Sequence, residues 1–139
     1  MKIHLYYIGK PRDSHANALA EDFVLRASRF CPTEMREVRP DRADLLGRHP
    51  SARKIFLDPA GRQMDSPAFT SLLARAEMEG RDLLFLIGGA DGLPAAWKPC
   101  ADLLLSLSAM TWPHELARVL LAEQIYRGFA ALRGHPYPR

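Results

Sequence analysis

Short apolar runs alternate with segments of helical spacing along this chain, which makes it an α/β protein with a mainly parallel sheet flanked by helices. Two further observations agree. Residues 82–87, Asp-Leu-Leu-Phe-Leu-Ile, show no polar alternation, as a central strand covered on both faces requires. No repeat, low-complexity segment or linker divides the 139 residues, so residues 1–139 read as one domain around one core.

The elements follow in order. Residues 2–8 form a first strand, stopped by Gly9 and Pro11, and residues 15–30 carry Ala18, Leu19, Phe23, Leu25 and Phe30 at helical spacing. Residues 34–39 alternate weakly, as an edge strand does, and the polar stretch 40–51 has no assignable element. Lys54, Ile55, Phe56 and Leu57 make a compact strand that ends in the turn signal Asp58-Pro59-Ala60-Gly61. Ser66 as N-cap and Pro67 as first helical residue open a helix whose stripe is Phe69, Leu72, Leu73 and Ala76, and Gly80 closes it. The central strand then runs into Gly88-Gly89-x-x-Gly92. A short apolar strand reaching Leu105 leads through a small-polar loop into a final helix over residues 115–132, with Thr111 or Trp112 as its cap and Pro113 as its start. That helix is apolar nearly all round (Leu116, Val119, Leu120, Leu121, Ile125, Tyr126, Phe129 and Leu132), so it needs cover on two sides. Its own sheet supplies one side, and a second subunit is expected to supply the other.

Nineteen basic against sixteen acidic residues give a net charge of +3, which assists approach to a polyanion without being a nucleic-acid signature. Cys31 and Cys100 stand in no Cys-x-x-Cys spacing, so neither a disulfide framework nor a structural zinc site is expected, and a reducing cytosol is the simplest compartment. The opening apolar run is too short for a signal-peptide core and no run reaches membrane-spanning length, so the expectation is a cytoplasmic protein with neither a membrane nor a DNA partner.

Two loops attract chemistry. The Gly88-Gly89-x-x-Gly92 loop permits positive φ and close backbone approach, which suits holding a ligand, ending a strand or turning a corner. It is not the GxGxxG dinucleotide fingerprint and does not follow the first strand, so a Rossmann dehydrogenase is disfavoured. The loop of Leu107, Ser108, Ala109, Met110, Thr111 and Trp112 offers backbone groups suited to a flat base edge, and equally serves as a strand-to-helix connection. Taken singly, His114, Arg118, Arg127, His135 and Tyr137 have ordinary structural readings, and Glu123 with Arg127 has the spacing of a helix ion pair. No nucleophile elbow, P-loop or paired metal-ligand spacing is present, so no metal is expected.

Several motifs in one order are more specific than any alone: Gly9-Lys10, Leu57-Asp58 with Gly61, Leu86-Ile87-Gly88-Gly89 to Gly92, Ser106-Leu107-Ser108 with Met110-Thr111, Pro113-His114, Arg118-Val119-Leu120, Glu123-Gln124 with Tyr126-Arg127, and Pro136-Tyr137. In these the chain resembles the RlmH family, small SPOUT-class methyltransferases that use S-adenosylmethionine to modify a pseudouridine of large-subunit ribosomal RNA. The resemblance implies the SPOUT α/β knot, with a C-terminal trefoil that breaks the usual rule against threaded connections. It implies a cofactor held by Leu57, Gly88 and the loop from Leu107 to Trp112, with Gly88 kept bare so that the ligand can approach. The implied acceptor is N3 of a pseudouridine in helix 69 of 23S rRNA, met on the assembled 70S ribosome by a homodimer. His135, Tyr137 and Arg139 of a docked tail, with Arg118 or Arg127, are expected to approach that base, across the dimer. Two departures stand out: family members commonly end in Pro-Tyr-His where this chain has Tyr137-Pro138-Arg139, and the stretch between Pro40 and Arg53 is short. A SPOUT enzyme acting on tRNA and a non-catalytic ribosome-binding factor are the competing readings.

Overall fold

The structure, a computed structural model, describes residues 1–40 and 47–137. Part of the unassigned polar stretch and the tail positions Pro138 and Arg139 thus lie outside the described residues. Five strands, β1 (Ile3–Ile8), β2 (Thr33–Val38), β3 (Arg53–Gln63), β4 (Leu83–Ile87) and β5 (Leu103–Ser106), form one sheet in the order β2-β1-β4-β3-β5. Every pairing is parallel. The weakly alternating β2 is indeed an edge, and β4, buried at every position, is central.

The helices are α1 (Ser14–Ala27), α2 (Ser66–Glu79) and α3 (His114–Leu132), with a 3-10 segment at Ala95–Cys100. All three α-helices pack on the face formed by Ile3, Leu5 and Tyr7 of β1 and Leu83, Phe85 and Ile87 of β4. On the opposite face Tyr6, Phe56, Leu84 and Leu86 lie under Ala52, Leu93, Trp97 and Ala101. Both faces of β4 are covered, one of them among the described residues by a 3-10 segment and loops rather than by long helices.

Because α3 lies between α1 and α2, both of its flanks are met by its own chain. The second cover that its all-round apolarity demands is therefore intramolecular. Gly128 shows how close the α2 contact is, since a Cβ there would sit 2.5 Å from Leu73 Cδ1. Leu116 and Leu132 stay exposed at the two ends. No helix among the described residues is long and apolar enough to cross a membrane.

Element ends differ from expectation where local chemistry decides. Asp65, not Ser66, is the N-cap of α2, its carboxylate accepting from Ala68 N at 2.9 Å, while Ser66 Oγ donates to Gln124 Oε1 at 2.7 Å and ties α2 to α3. Neither Thr111 nor Trp112 caps α3: Pro113 occupies the N-cap without a side-chain bond. Helix α1 ends at Ala27, before Phe30, with Ser28 Oγ donating back to Val24 O at 2.9 Å. Gly80 closes α2 in the left-handed conformation at φ 63°, as expected.

The largest difference is in β3. Its Asp58-Pro59-Ala60-Gly61 signal does not end the strand, because Leu105 of β5 is in register with both Leu57 and Arg62 and the four residues between loop out. A Cβ on Gly61 would lie 2.6 Å from Leu104 C and 2.7 Å from Leu104 O, so the excursion closes only over a glycine. Turn-forming residues here make a loop against a neighbouring strand instead of a strand terminus.

Candidate active site

Beyond the carboxyl ends of β3, β4 and β5, where open parallel sheets place their ligands, lies a cleft of about 310 Å³. Four segments build its walls: Leu57, Asp58 and Pro59 from the β3 excursion; Ile87 to Ala90 with Gly92 and Leu93 after β4; Lys98 of the 3-10 segment; and Leu105 to Ser108 with Met110 to Trp112, leading into His114 and Ala117 of α3. The glycine loop and the small-polar loop meet in one crevice, as their sequences suggest. Of the residues expected to hold a cofactor, Leu57, Gly88, Leu107, Ser108, Met110, Thr111 and Trp112 line it, while Ala109 belongs to the loop without lining the wall.

Gly88 lines the cleft and is also kept bare by its own loop. A Cβ there would come within 2.6 Å of Gly92 C and 2.8 Å of Leu93 N, so the loop's own return path forbids it. Gly89 would bring a Cβ to 3.1 Å from Ile8 O, which packs this loop against the end of β1. Gly92 needs glycine for its φ of 76°.

The loop at 108–112 has few internal bonds. Ser106 Oγ donates to Ser108 O at 2.9 Å and Met110 N donates to Ser108 Oγ at 3.0 Å, but no backbone-to-backbone bond joins residues 108–112 to the rest of the described chain. Polar groups in that state are available to a ligand. Apolar walls with a few unsatisfied backbone groups fit the adenosine portion of the expected S-adenosylmethionine.

The cleft also holds residues that sequence reasoning passed over. Asp58 is only 9% exposed. Its Oδ1 accepts from Ala60 N at 2.8 Å and its Oδ2 lies 3.0 Å from Lys98 Nζ of the 3-10 segment. The Ala60 amide, with Lys98 next, holds its carboxyl below the ordinary range. Asp58 stands beside Leu57 in a motif already noticed, but Lys98 has no motif of its own and reaches the site only through the fold.

A model of the family described as "Predicted SPOUT methyltransferase" matches residues 1–138. The chain belongs to the SPOUT methyltransferase family. It is 70% identical over 139 residues to a Solibacter usitatus protein named ribosomal RNA large subunit methyltransferase H, covering all of both chains. It is 38% identical over 154 residues to a Cereibacter sphaeroides protein of the same name, covering all of this chain and 99% of that one. Among solved structures, a probable methylase family protein of Haemophilus influenzae Rd KW20 aligns with a TM-score of 0.66 at 9% identity over 99% of this chain and 70% of that one. A probable methyltransferase of Bordetella pertussis Tohama I aligns at 0.61 and 13% identity, covering 91% and 93%. With the family match, these likenesses show the SPOUT methyltransferase fold.

In this SPOUT chain the expected substrate-facing residues separate into two places. Arg118, on the second turn of α3, is fully buried: its guanidinium lies 3.7 Å over the Tyr7 ring, donates to Asn17 Oδ1 at 3.1 Å and sits 3.7 Å from Glu115 Oε1. It faces the α1–α3 interior rather than solvent, so it meets no base directly. Glu115 in turn accepts from Arg12 N at 2.6 Å and Asp13 N at 2.9 Å, fastening the loop after β1 to the start of α3.

The tail lies at the other end of α3. Tyr137 packs on Tyr126 with ring centroids 4.5 Å apart, His135 lies edge-on to Phe30 at 5.8 Å, and Arg127 sits 5.3 Å over the Tyr137 ring while donating to Glu123 Oε1 at 2.6 Å. Arg127 of this cluster stands ten residues along α3 from Ala117, which lines the cleft, roughly 15 Å at about 1.5 Å per residue. His135, Tyr137 and Arg127 are together, but not with their own chain's cleft. Arg139 lies outside the described residues.

Proposed function

We propose that this chain is a large-subunit ribosomal RNA methyltransferase that transfers a methyl group from S-adenosylmethionine to N3 of a pseudouridine in helix 69 of 23S rRNA. The observation that carries the reading is the meeting of the glycine loop and the 106–112 loop in one cleft at the carboxyl ends of the strands, in a chain of this family. The name borne by the relatives of 70% and 38% identity supports the ribosomal substrate. The reading also takes the 58–61 excursion, with β5 against it, as part of the family's trefoil.

Leu57, Ile87, Leu105 and Leu107 supply the dry walls and the 107–112 loop the polar backbone groups that would hold the cofactor. When bound, that cofactor supplies a methyl group on a positively charged sulfur, open to in-line attack. The protein's main contribution is then to hold acceptor and donor collinear. N3 of the pseudouridine must lose its proton before or during attack, and a nearby base or a cation beside the imide anion favours that loss. His135, Tyr137 and Arg127, with Arg139 beyond them, are assigned to that side of the reaction. Since none of the described ones lines its own cleft, the reading takes the protein as a homodimer in which one protomer's tail serves its partner's cleft. Arg118 acts in it by positioning Glu115 and the start of α3.

The net charge of +3 is a weak hold on naked RNA, so the substrate is expected to be the assembled 70S particle, which implies work in the cytoplasm. The test is incubation of the protein and labelled S-adenosylmethionine with 70S ribosomes lacking the modification, followed by nuclease digestion and mass spectrometry. A methyl group on N3 of the helix 69 pseudouridine, with little incorporation into protein-free rRNA, is the expected result. Methylation of a tRNA transcript in place of ribosomes would overturn the substrate. Ribosome binding without S-adenosylmethionine binding would overturn the activity and leave a binding factor.

A further inference from the structure

We propose that Lys98 and Asp58 recognise the amino-acid end of the methyl donor, Lys98 taking its α-carboxylate and Asp58 its α-ammonium group. The inference rests on the donor assigned above. Among the described residues lining the cleft, these two alone carry a full charge; the others are aliphatic, hydroxyl-bearing or glycine, with one tryptophan and one histidine. Apolar walls and backbone groups suffice for a nucleoside, but a zwitterion leaving water needs charged partners of both signs.

The pair is held in place and still has bonding capacity. An ammonium group has three donors, and among the described residues Lys98 Nζ has one acceptor, Asp58 Oδ2 at 3.0 Å. A carboxylate offers about four lone-pair sites, and that of Asp58 accepts from Ala60 N and Lys98 Nζ. A ligand carrying ammonium and carboxylate on one carbon completes both, giving four charges of alternating sign. The positions are set independently: the 58–61 excursion, closed over Gly61, presents Asp58 from β3, and the 3-10 segment presents Lys98 from the chain before β5. At 9% exposure Asp58 is an interior wall group, whereas Lys98, with a side chain 47% exposed, stands at the rim and is free to reach a second anion.

A pair that merely fastened the 3-10 segment to β3 would treat all cleft ligands alike, and titration calorimetry separates the two roles. The ligands are S-adenosylmethionine, S-adenosylhomocysteine and 5′-methylthioadenosine, the last of which lacks the amino-acid end. Lys98→Met is expected to weaken the first two by about tenfold, the loss of one charge-assisted bond, and to leave methylthioadenosine unchanged. Lys98→Arg, which keeps the charge, should restore most of that loss. Equal weakening of all three ligands, or of none, overturns the inference while the wild type's binding upholds the donor. A wild-type protein that binds none of the three overturns the donor assignment and the inference together.

Discussion

Gly61, within the β3 excursion, and Gly92, in the loop after β4, are both needed, but for opposite reasons. At Gly61 the obstacle is space, because a Cβ would meet the Leu104 backbone at 2.6 Å; at Gly92 nothing lies within 4 Å and only the φ of 76° resists a side chain. Gly92→Ala should therefore cost about 1 kcal/mol, the penalty of a left-handed alanine, whereas Gly61→Ala pushes two strands apart and should cost about 3 kcal/mol or more. Urea midpoints of the two variants check the ordering, and equal losses would mean that β5 yields easily. A second residue-scale consequence lies on the other sheet face. Burial alone would raise the Glu34 carboxyl, but hydrogen bonds from His4 at 2.8 Å and Tyr6 at 2.9 Å, with Lys2 and Arg36 close by, hold it at about 2. This folded value lies below the ordinary 4.5, so the stabilisation is complete above that pH and is lost as pH falls from there toward 2. It amounts to at most roughly 3 kcal/mol. Denaturation of the wild type and Glu34→Gln between pH 2 and 6 should show their difference shrinking as acid is added. A constant difference would show that the carboxylate's charge is immaterial.

Among the elements, α3 and β3 show where local signals stop being sufficient. Pro113 begins α3 without a side-chain cap, and the acidic first-turn residue Glu115 bonds outward to Arg12 N and Asp13 N instead. Those amide bonds, that of Arg12 foremost, hold the Glu115 carboxyl below its ordinary range. Glu115→Ala should speed hydrogen exchange at the Arg12 and Asp13 amides selectively, and unchanged protection there would remove Glu115 from the latch. The periodicity of residues 66–79 identified α2 because a stripe of apolar residues belongs to the helix itself. Its cap was misplaced by one residue, since Ser66 bonds to Gln124, 58 positions away. The Pro-Gly signal of β3 reads as the end of the strand, which instead runs on to Gln63. That the chain then resumes as a strand depends on β5 lying alongside to receive it.

For the whole molecule, the described tail residues do not line their own chain's cleft, and the proposed dimer is the arrangement that would bring them to a partner's. Substituting Tyr137 and Arg139 together by alanine should reduce methyl transfer while leaving S-adenosylmethionine binding nearly intact; unchanged turnover would remove the tail from the mechanism. Mixing that variant with Ser108→Trp, which fills the cleft, tests the arrangement directly. If the tail of one copy serves the cleft of the other, re-equilibrated dimers should recover about a quarter of wild-type activity, since half are mixed and each has one intact site. No recovery would confine the site to one protomer. The sequence determined the parallel α/β architecture, the central β4, the edge β2 and both cleft loops, because burial periodicity and glycine spacing are carried by residues close together in the chain. Only the tertiary structure decided that α1 and α2 cover α3, that Arg118 is interior, that Lys98 meets Asp58 and that the tail stands away from the cleft. Each of these depends on how segments tens of residues apart are placed relative to one another, and local pattern has no means of specifying that placement.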